Sequence, residues 1–414
     1  MLRITRFAAF ALVGLAVMAH AWGAAAAGNP KVRAITAFVK LDRTQYAAQI
    51  AQTLKMLRQA KRLFEESGYP VESVRITTQP FPEYVQGLSR QQALEFFHAY
   101  DELAIKESFD ANIGPAMLLD SDDPVRVELL GEVLSTTKTL EASLVMADED
   151  GIHWNGIRAA AKMVRYLTEH SPNSQGNFNF TATAMLQPYG PFFPGSYHLG
   201  AGHQFSVGLE SANVVDAVFA ATSGKPQQAA DQLTEALTRH ALAVEKLGRR
   251  VEDQTGWTYM GLDPTPAPLR EVSIGAAIEK FTGAKFGSSG TMTAAAIITK
   301  AVSSVPVKRI GYSGLMVPVL EDSLLAQRWG EGTYDMDSLL AYSAVCGTGL
   351  DTIPLPGDIS EERLQRIFGD VAALAFKWRK PLSARLQPVM GKTAGDRTAF
   401  DDPFIVNTVI QKLR

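Results

Sequence analysis

Cysteine is almost missing from this chain: Cys346 is the only one in 414 residues. No intramolecular disulfide can form, even in an oxidising compartment. A strong excess of either charge is missing too. The 40 Lys and Arg residues stand against 43 Asp and Glu, a formal net charge of −3, which argues against a nucleic-acid or anionic-membrane surface as partner. Beyond the N-terminus, no stretch offers the roughly 18 uncharged apolar residues of a membrane helix. Internal repeats, low-complexity linkers and charge blocks are also absent, so nothing marks a domain boundary. The simplest account of residues 28–414 is one large α/β unit with an ample core.

What is present begins with the first 27 residues. Arg3 and Arg6 precede an uncharged apolar run from Phe7 to Ala19, and small residues follow at Ala24-Ala25-Ala26-Ala27-Gly28. That order is the pattern of a cleaved secretory signal peptide. It predicts an exported protein, most simply periplasmic, with no stable membrane insertion after cleavage, which is expected after Ala27 or alternatively Ala21.

Strand-like and helix-like segments then alternate. Val32 to Leu41, Val71 to Thr78, Ala111 to Leu119, Ala142 to Ala147 and Asn177 to Gln187 read as strands. Tyr46 to Glu66, Gln91 to Ile105, Pro124 to Thr136 and Trp154 to His170 carry apolar residues at helical spacing,. A βαβα order predicts a largely parallel sheet with helices outside. One long polar helix, Pro226 to Leu247, reads as an amphipathic outer element. Short strands are expected at Tyr259 to Leu262 and Leu315 to Leu320.

Three glycine-punctuated loops present polar side chains between apolar runs. They are Gly287-Ser288-Ser289-Gly290-Thr291-Met292-Thr293, Gly311 to Asp322, and Cys346-Gly347-Thr348-Gly349-Leu350-Asp351. Such loops at element junctions suggest one shared pocket. The apolar run Ala294 to Ile298 reads as a helix. The N–H groups at its start suit a carboxylate or phosphate, with Ser289, Gly290, Thr291 and Thr293 as ligand-binding residues, although the same pattern serves a simple N-cap. Asp263 in Leu262-Asp263-Pro264-Thr265-Pro266 either projects into a pocket or caps its turn. Asp322 offers a proton-transfer carboxylate or a helix-start cap.

His198 and His203 share one glycine-rich loop. Imidazole is a common general base and metal ligand, so His198 is a catalytic candidate and a divalent metal is an open cofactor possibility, needing a carboxylate such as Glu210, Glu321, Asp322 or Asp351. No established zinc spacing is present. Cys346 reads either as a small buried hydrophobe or as a pocket thiol near Asp351, whose charge raises a thiol pKa.

The runs Gly176 to Phe180, Gly190 to His198 and Phe205 to Glu210 resemble the family called domain of unknown function 711. So do Leu262 to Pro266, Gly290 to Thr293, Pro318 to Asp322 and Cys346 to Asp351, in the same order. The resemblance implies a single large barrel of mostly parallel strands with outer helices, similar to the pyruvate formate-lyase-like fold. Radical enzymes of that fold carry a cysteine on a loop inside the barrel, which directs attention to Cys346. The segment Arg385 to Lys392 lacks the usual glycyl radical signature, so no glycyl radical is expected. The reading is an exported enzyme, a hydrolase or lyase acting on a small carboxylate-bearing molecule, with Cys346, His198 and Asp322 as catalytic candidates. Asp263, Ser289, Gly290, Thr291, Thr293 and Asp351 are the ligand-binding candidates. The competing class is a periplasmic small-ligand binding or sensory protein.

Overall fold

The computed structural model describes residues 28–414, so the expected signal peptide at 1–27 lies outside the described residues. Strand β1, Lys31–Val39, leads into a helix over Tyr46–Glu66 whose Ile50, Leu54, Leu57 and Phe64 are buried at helical spacing,. Strand β2, Val71–Thr78, returns parallel to β1. The same alternation produces β3, Asp110–Pro115, and β4, Leu140–Asp148, with helices over Arg90–Glu107, Val125–Thr136 and Trp154–His170. A short β5, Gly151–Ile152, pairs back onto β4, and β6, Phe180–Ala184, completes the first set.

The second set runs the other way. It comprises β7, Gly202–Glu210, β8, Thr258–Asp263, β9, Gly349–Pro356, and β10, Leu382–Val389. The sheet order is β8-β7-β1-β2-β3-β4-β6-β10-β9, with β5 beside β4. Strands β1, β2, β3, β4 and β6 are mutually parallel. The pairs β7/β8 and β9/β10 are also parallel inside, and each joins the first set through an antiparallel seam, β1/β7 and β6/β10. The result is an α/β fold on one large, mostly parallel ten-stranded sheet.

Four expected elements differ from the structure, the first being the strand expected at Ala111 to Leu119, which ends at Pro115. Residues 177–179 belong to a short 3-10 helix, so the strand starts only at Phe180 and ends at Ala184. The long helix runs Pro226–Thr255, past Leu247, because Gly248 lets it lie against Tyr259: a Cβ there would sit 2.6 Å from the ring. Leu315 to Leu320 forms no strand, with Gly314 just before it and Pro318 inside it,. The longer segment 309–318 touches the sheet through single parallel bridges instead, Arg309 to Leu262 at one edge and Pro318 to Asp351 at the other.

The helices cover one face of the sheet, where Ile35, Ala37, Val39, Ile76, Ala111 and Leu144 join the main apolar cluster. The opposite face is more polar and receives the 185–201 connection between β6 and β7. Thr36 donates to Pro191 O at 2.9 Å, Asn112 Nδ2 to Pro194 O at 2.7 Å, and the Thr77 and Ser196 hydroxyls lie 2.7 Å apart. The loop that covers this polar face beside β1, β2 and β3 is the Gly190–His198 motif.

Candidate active site

Where that loop stops, a cavity of about 570 Å³ opens, within the usual size range of small-molecule sites. Its charged lining includes Arg33, Glu72, Arg75, Glu141, Glu321, Asp351 and Arg385. Each of these comes from a strand or, for Glu321, from the connection between β8 and β9.

Arg33 is placed by a defect in β1. Strict alternation would put it on the face of Ile35, Ala37 and Val39, but the β1/β7 register shifts between Val32 and Ala34. Such a bulge re-aims a side chain, and Arg33 turns inward. Its Nη1 donates to Glu210 Oε2 at 3.0 Å and Glu72 Oε1 at 3.3 Å, and its Nη2 to Glu321 Oε2 at 3.3 Å. Arg385 continues the chain of ion pairs, donating from Nε to Asp351 Oδ1 at 2.8 Å and from Nη2 to Glu321 Oε1. Burial opposes both charges, yet the surrounding carboxylates outweigh it and hold both guanidiniums protonated.

Each arginine also has an aromatic neighbour. Phe404, Phe193 and Phe178 lie 5.7, 5.0 and 4.7 Å from the guanidinium carbons of Arg33, Arg75 and Arg385, a cation–π arrangement that fixes the plane of each fork. Arg75 differs from the other two. Its Nε donates to Ser73 Oγ at 2.9 Å and lies 3.4 Å from Asp110 Oδ2, while Nη1 and Nη2 donate to no acceptor among the described residues. Burial pulls its pKa down.

The carboxyls are not equivalent. Glu72 and Glu210 both accept from Arg33 Nη1, and Glu72 Oε2 is buried without a hydrogen-bond partner. Two carboxyls so close titrate as a pair: burial and the neighbouring Glu72 push Glu210 up to about 7, while Glu210 and Arg33 hold Glu72 low against its own burial. Glu141 accepts no hydrogen bond or ion pair among the described residues. Burial pushes it up to about 8, against the pull of Arg75. Groups that titrate near neutrality inside a cleft are the usual material of acid–base chemistry.

The candidates from the sequence separate. Asp351 lines the cavity, as do Phe193 and Pro194, Met316 and Glu321, and Thr348 from the loops expected to form the site. Cys346 is buried in the main apolar cluster, with its thiol 3.8 Å from Ser343 Oγ and its carbonyl accepting from Lys380 Nζ. Its loop is held by the near-contact of Gly347 and Gly314, where a Cβ on either would sit 2.4 Å from the other's Cα. His198 is fully buried beside Phe38 and Tyr189, and its Nε2 donates to Val39 O at 3.0 Å. That is the far end of β1, roughly 20 Å from Arg33 by strand rise, and burial lowers its pKa. His203 is exposed and stacks on Trp257.

Asp322 is an anchor for two helices. It accepts from Leu324 N and Leu325 N, from Ser273 Oγ, and from Ile274 N and Gly275 N. Asp263 accepts from Thr265 N and Oγ1, Tyr312 N and Ser313 N, tying the 311–314 loop to the end of β8. Burial raises both carboxyls to about 6 in spite of these donors. Ser289, Gly290 and Thr293 are exposed on the outside. Thr291 is buried, with Oγ1 accepting from Gly287 N at 3.1 Å at the start of the helix Thr291–Ser304. The 289–293 loop thus caps a helix and does not reach the cavity lining. Among the described residues no group of three or more His, Cys, Asp or Glu is placed to hold a metal ion.

Sequence reasoning passed over Arg33, Glu72, Arg75, Glu141 and Arg385. The available signal was charge inside apolar strand runs, as in Lys31-Val32-Arg33-Ala34-Ile35 and Ser383-Ala384-Arg385-Leu386. Glu210 and Glu321 enter the sequence reading as possible metal carboxylates, and Glu321 also as an acidic residue at a helix start,.

A family model described as "Uncharacterised ACR (DUF711)" matches residues 26–401. The chain belongs to the DUF711 family. Its relatives carry the name UPF0210 protein. One from Pyrobaculum aerophilum is 32% identical over 362 residues, covering 83% of this chain and 79% of the relative. One from Leuconostoc mesenteroides is 27% identical over 393 residues, covering 90% and 85%. A third, from Bifidobacterium animalis, is 26% identical over 378 residues, covering 86% and 81%. DUF711 membership therefore spans the whole sheet and every cavity strand, from Arg33 in β1 to Arg385 in β10.

Proposed function

We propose that this protein is an exported enzyme of the hydrolase or lyase type, acting without glycyl radical chemistry on a small carboxylate-bearing molecule in the arginine-lined cavity. The observation that carries this reading is Arg75. Its side chain is only 12% exposed, its Nε is held by Ser73 and its face by Phe193, and its outer edge is free. A guanidinium fixed in this way is preorganised to receive a carboxylate through two parallel hydrogen bonds. The Glu72–Glu210 pair supplies a proton beside it, and Arg33 keeps that pair in place.

The architecture we propose for this site is a closed barrel similar to the pyruvate formate-lyase-like fold. Two parallel sets of five would face each other, with the 309–318 segment between β8 and β9 as the tenth barrel strand. The two bridges made by Arg309 and Pro318, one to each sheet edge, favour closure. Export is favoured by the order of charged, apolar and small residues at 1–27 and by the family match beginning only at residue 26.

The test is native purification followed by mass spectrometry of bound small molecules, repeated with Arg75→Gln. A bound organic acid that is lost in Arg75→Gln and converted by the unmodified protein supports the enzyme. An acid that is bound but emerges unchanged favours the periplasmic sensor. Equal acid binding by Arg75→Gln and the unmodified protein overturns the site.

A further inference from the structure

We infer that the molecule bound in this cavity is an amino acid or a close relative, its carboxylate on Arg75 and its ammonium group read by Glu141 and Thr181. The inference rests on the Arg75 carboxylate site proposed above and adds the second functional group of the ligand.

Three observations carry it. First, Glu141 and Thr181 both line the cavity and both lack protein partners. Glu141, half-buried at the cavity wall, accepts from nothing among the described residues, and Thr181 Oγ1, in a residue only 2% exposed, is buried with no hydrogen-bond partner. Buried polar groups are rarely left unpaired, so Thr181 asks for an explanation, and Glu141 beside it offers a carboxyl open to the cavity. Second, the two are neighbours. In the β4/β6 register Ser143 pairs with Thr181, and Glu141 lies two residues before Ser143, on the same face of β4. An ammonium brings three donors and no acceptor, which suits a carboxylate and a hydroxyl oxygen side by side.

Third, the span fits. Thr77 and Glu141 both pair with Asn112 of β3, and Arg75 lies two residues before Thr77, so Arg75 and Glu141 stand two strands and two residues apart, roughly 12 Å at the backbone. The lining holds both signs of charge, with Lys61 and Lys138 beside the arginines and carboxyls, and a zwitterion adds no net charge to it.

Binding should also move a proton. Burial raises the empty Glu141 to about 8, so at pH 7 it is mostly protonated and must ionise to hold an ammonium. The proton leaves to solvent.

The experiment is calorimetric titration of the purified protein at pH 7 with the common amino acids, each beside its desamino acid. It is run in two buffers of different ionisation enthalpy. The expected result is one amino acid bound at least about tenfold more tightly than its desamino analogue, since a site built for a polar group rejects the analogue lacking it, with proton release on binding. Glu141→Gln should abolish both the preference and the proton release, yet keep desamino-acid binding; Thr181→Val should weaken the preference alone. Equal binding of an amino acid and its desamino analogue overturns the amine and leaves the Arg75 site standing. Failure of both to bind overturns the Arg75 site and this inference together.

Discussion

Arg33 donates to Glu210 at 3.0 Å across the antiparallel seam between β1 and β7, from a point where the β1 register slips by one residue. Sheet geometry and site chemistry meet in this contact. The bulge that interrupts the ladder also carries the guanidinium that holds Glu72, Glu210 and Glu321 together.

The first prediction concerns that guanidinium. Breaking a buried ion pair from one side leaves its partner charges uncompensated, which costs about 3–5 kcal/mol. Arg33→Leu should therefore lower unfolding free energy by about that amount at pH 8, measured by urea denaturation. The loss should shrink toward pH 5 as the carboxyls take up protons. An equal loss at both pH values would mean that packing, not charge, is what Arg33 contributes.

The pH dependence has a definite sign. Glu141 and Glu210 have folded-state pKa values raised to about 8 and about 7 from an ordinary 4.5. The folded state thus holds these protons more firmly than the unfolded chain. Their contribution is intact below about pH 4.5 and is lost as pH rises through 7 and 8, at up to about 1.4 kcal/mol per pH unit for each group. Glu141→Gln should flatten the fall in stability between pH 6 and 8.5. An unchanged slope in the variant would show that Glu141 is not a proton holder.

Much of the scaffold was legible in the sequence because its signals are local. The helix spacing of Ile50, Leu54 and Leu57 and the β-branched run at Val71 to Thr78 gave elements with the observed bounds. The site was less legible because it depends on pairing. Nothing near Arg33 in sequence says that β7 will bring Glu210 beside it, 177 positions away. Two of the three glycine-rich loops reach the cavity, through Tyr312, Met316 and Glu321 and through Thr348 and Asp351, while the 287–293 loop does not. The glycines themselves serve packing, since Gly311, Gly314 and Gly347 are needed where backbone meets backbone or Asp263, and close packing leaves the same sequence trace as ligand approach. Asp351 was reached because its loop runs directly into β9.

Asp322 provides a third test. One carboxylate receives donors from the starts of two helices, Ile274–Thr282 and Ser323–Gly330. Two lost caps together should cost about 2–4 kcal/mol in Asp322→Ala. Calorimetric melting should show that loss, and Asp322→Asn should recover part of it. A variant of native melting temperature that binds no ligand would return Asp322 to the list of site residues.

Cys346 should behave as a core residue. It is 2% exposed and is not among the residues that line the cavity, although Thr348, two residues on, is. A thiol reagent should therefore label it at the rate of unfolding, rising with urea, and not at a rate set by thiolate content at each pH. Fast labelling of the native protein that a bound ligand blocks would place the thiol in the site after all.

The last prediction separates the two ends of β1. His198 donates to Val39 O at one end, and its Nδ1 is buried without a partner; Arg33, Glu72 and Arg75 face the cavity at the other. If His198 serves only to lock the 185–201 loop against β1, His198→Ala removes a buried ring and a hydrogen bond, and should lower stability by about 1–3 kcal/mol. Ligand affinity should stay within about threefold, given a ligand concentration high enough to keep the variant folded. Arg75→Gln should do the reverse. It makes no ion pair closer than 3.4 Å, and neutralising a buried guanidinium that has little compensation is nearly free or favourable for folding. Ligand binding should nevertheless fall at least about tenfold, the cost of a lost charge-assisted pair. Measuring melting temperature and affinity for both variants gives a crossed pattern: one loses stability and keeps binding, the other keeps stability and loses binding. Loss of affinity in His198→Ala equal to that in Arg75→Gln would join the two ends into one site and reject the division drawn from the strand geometry.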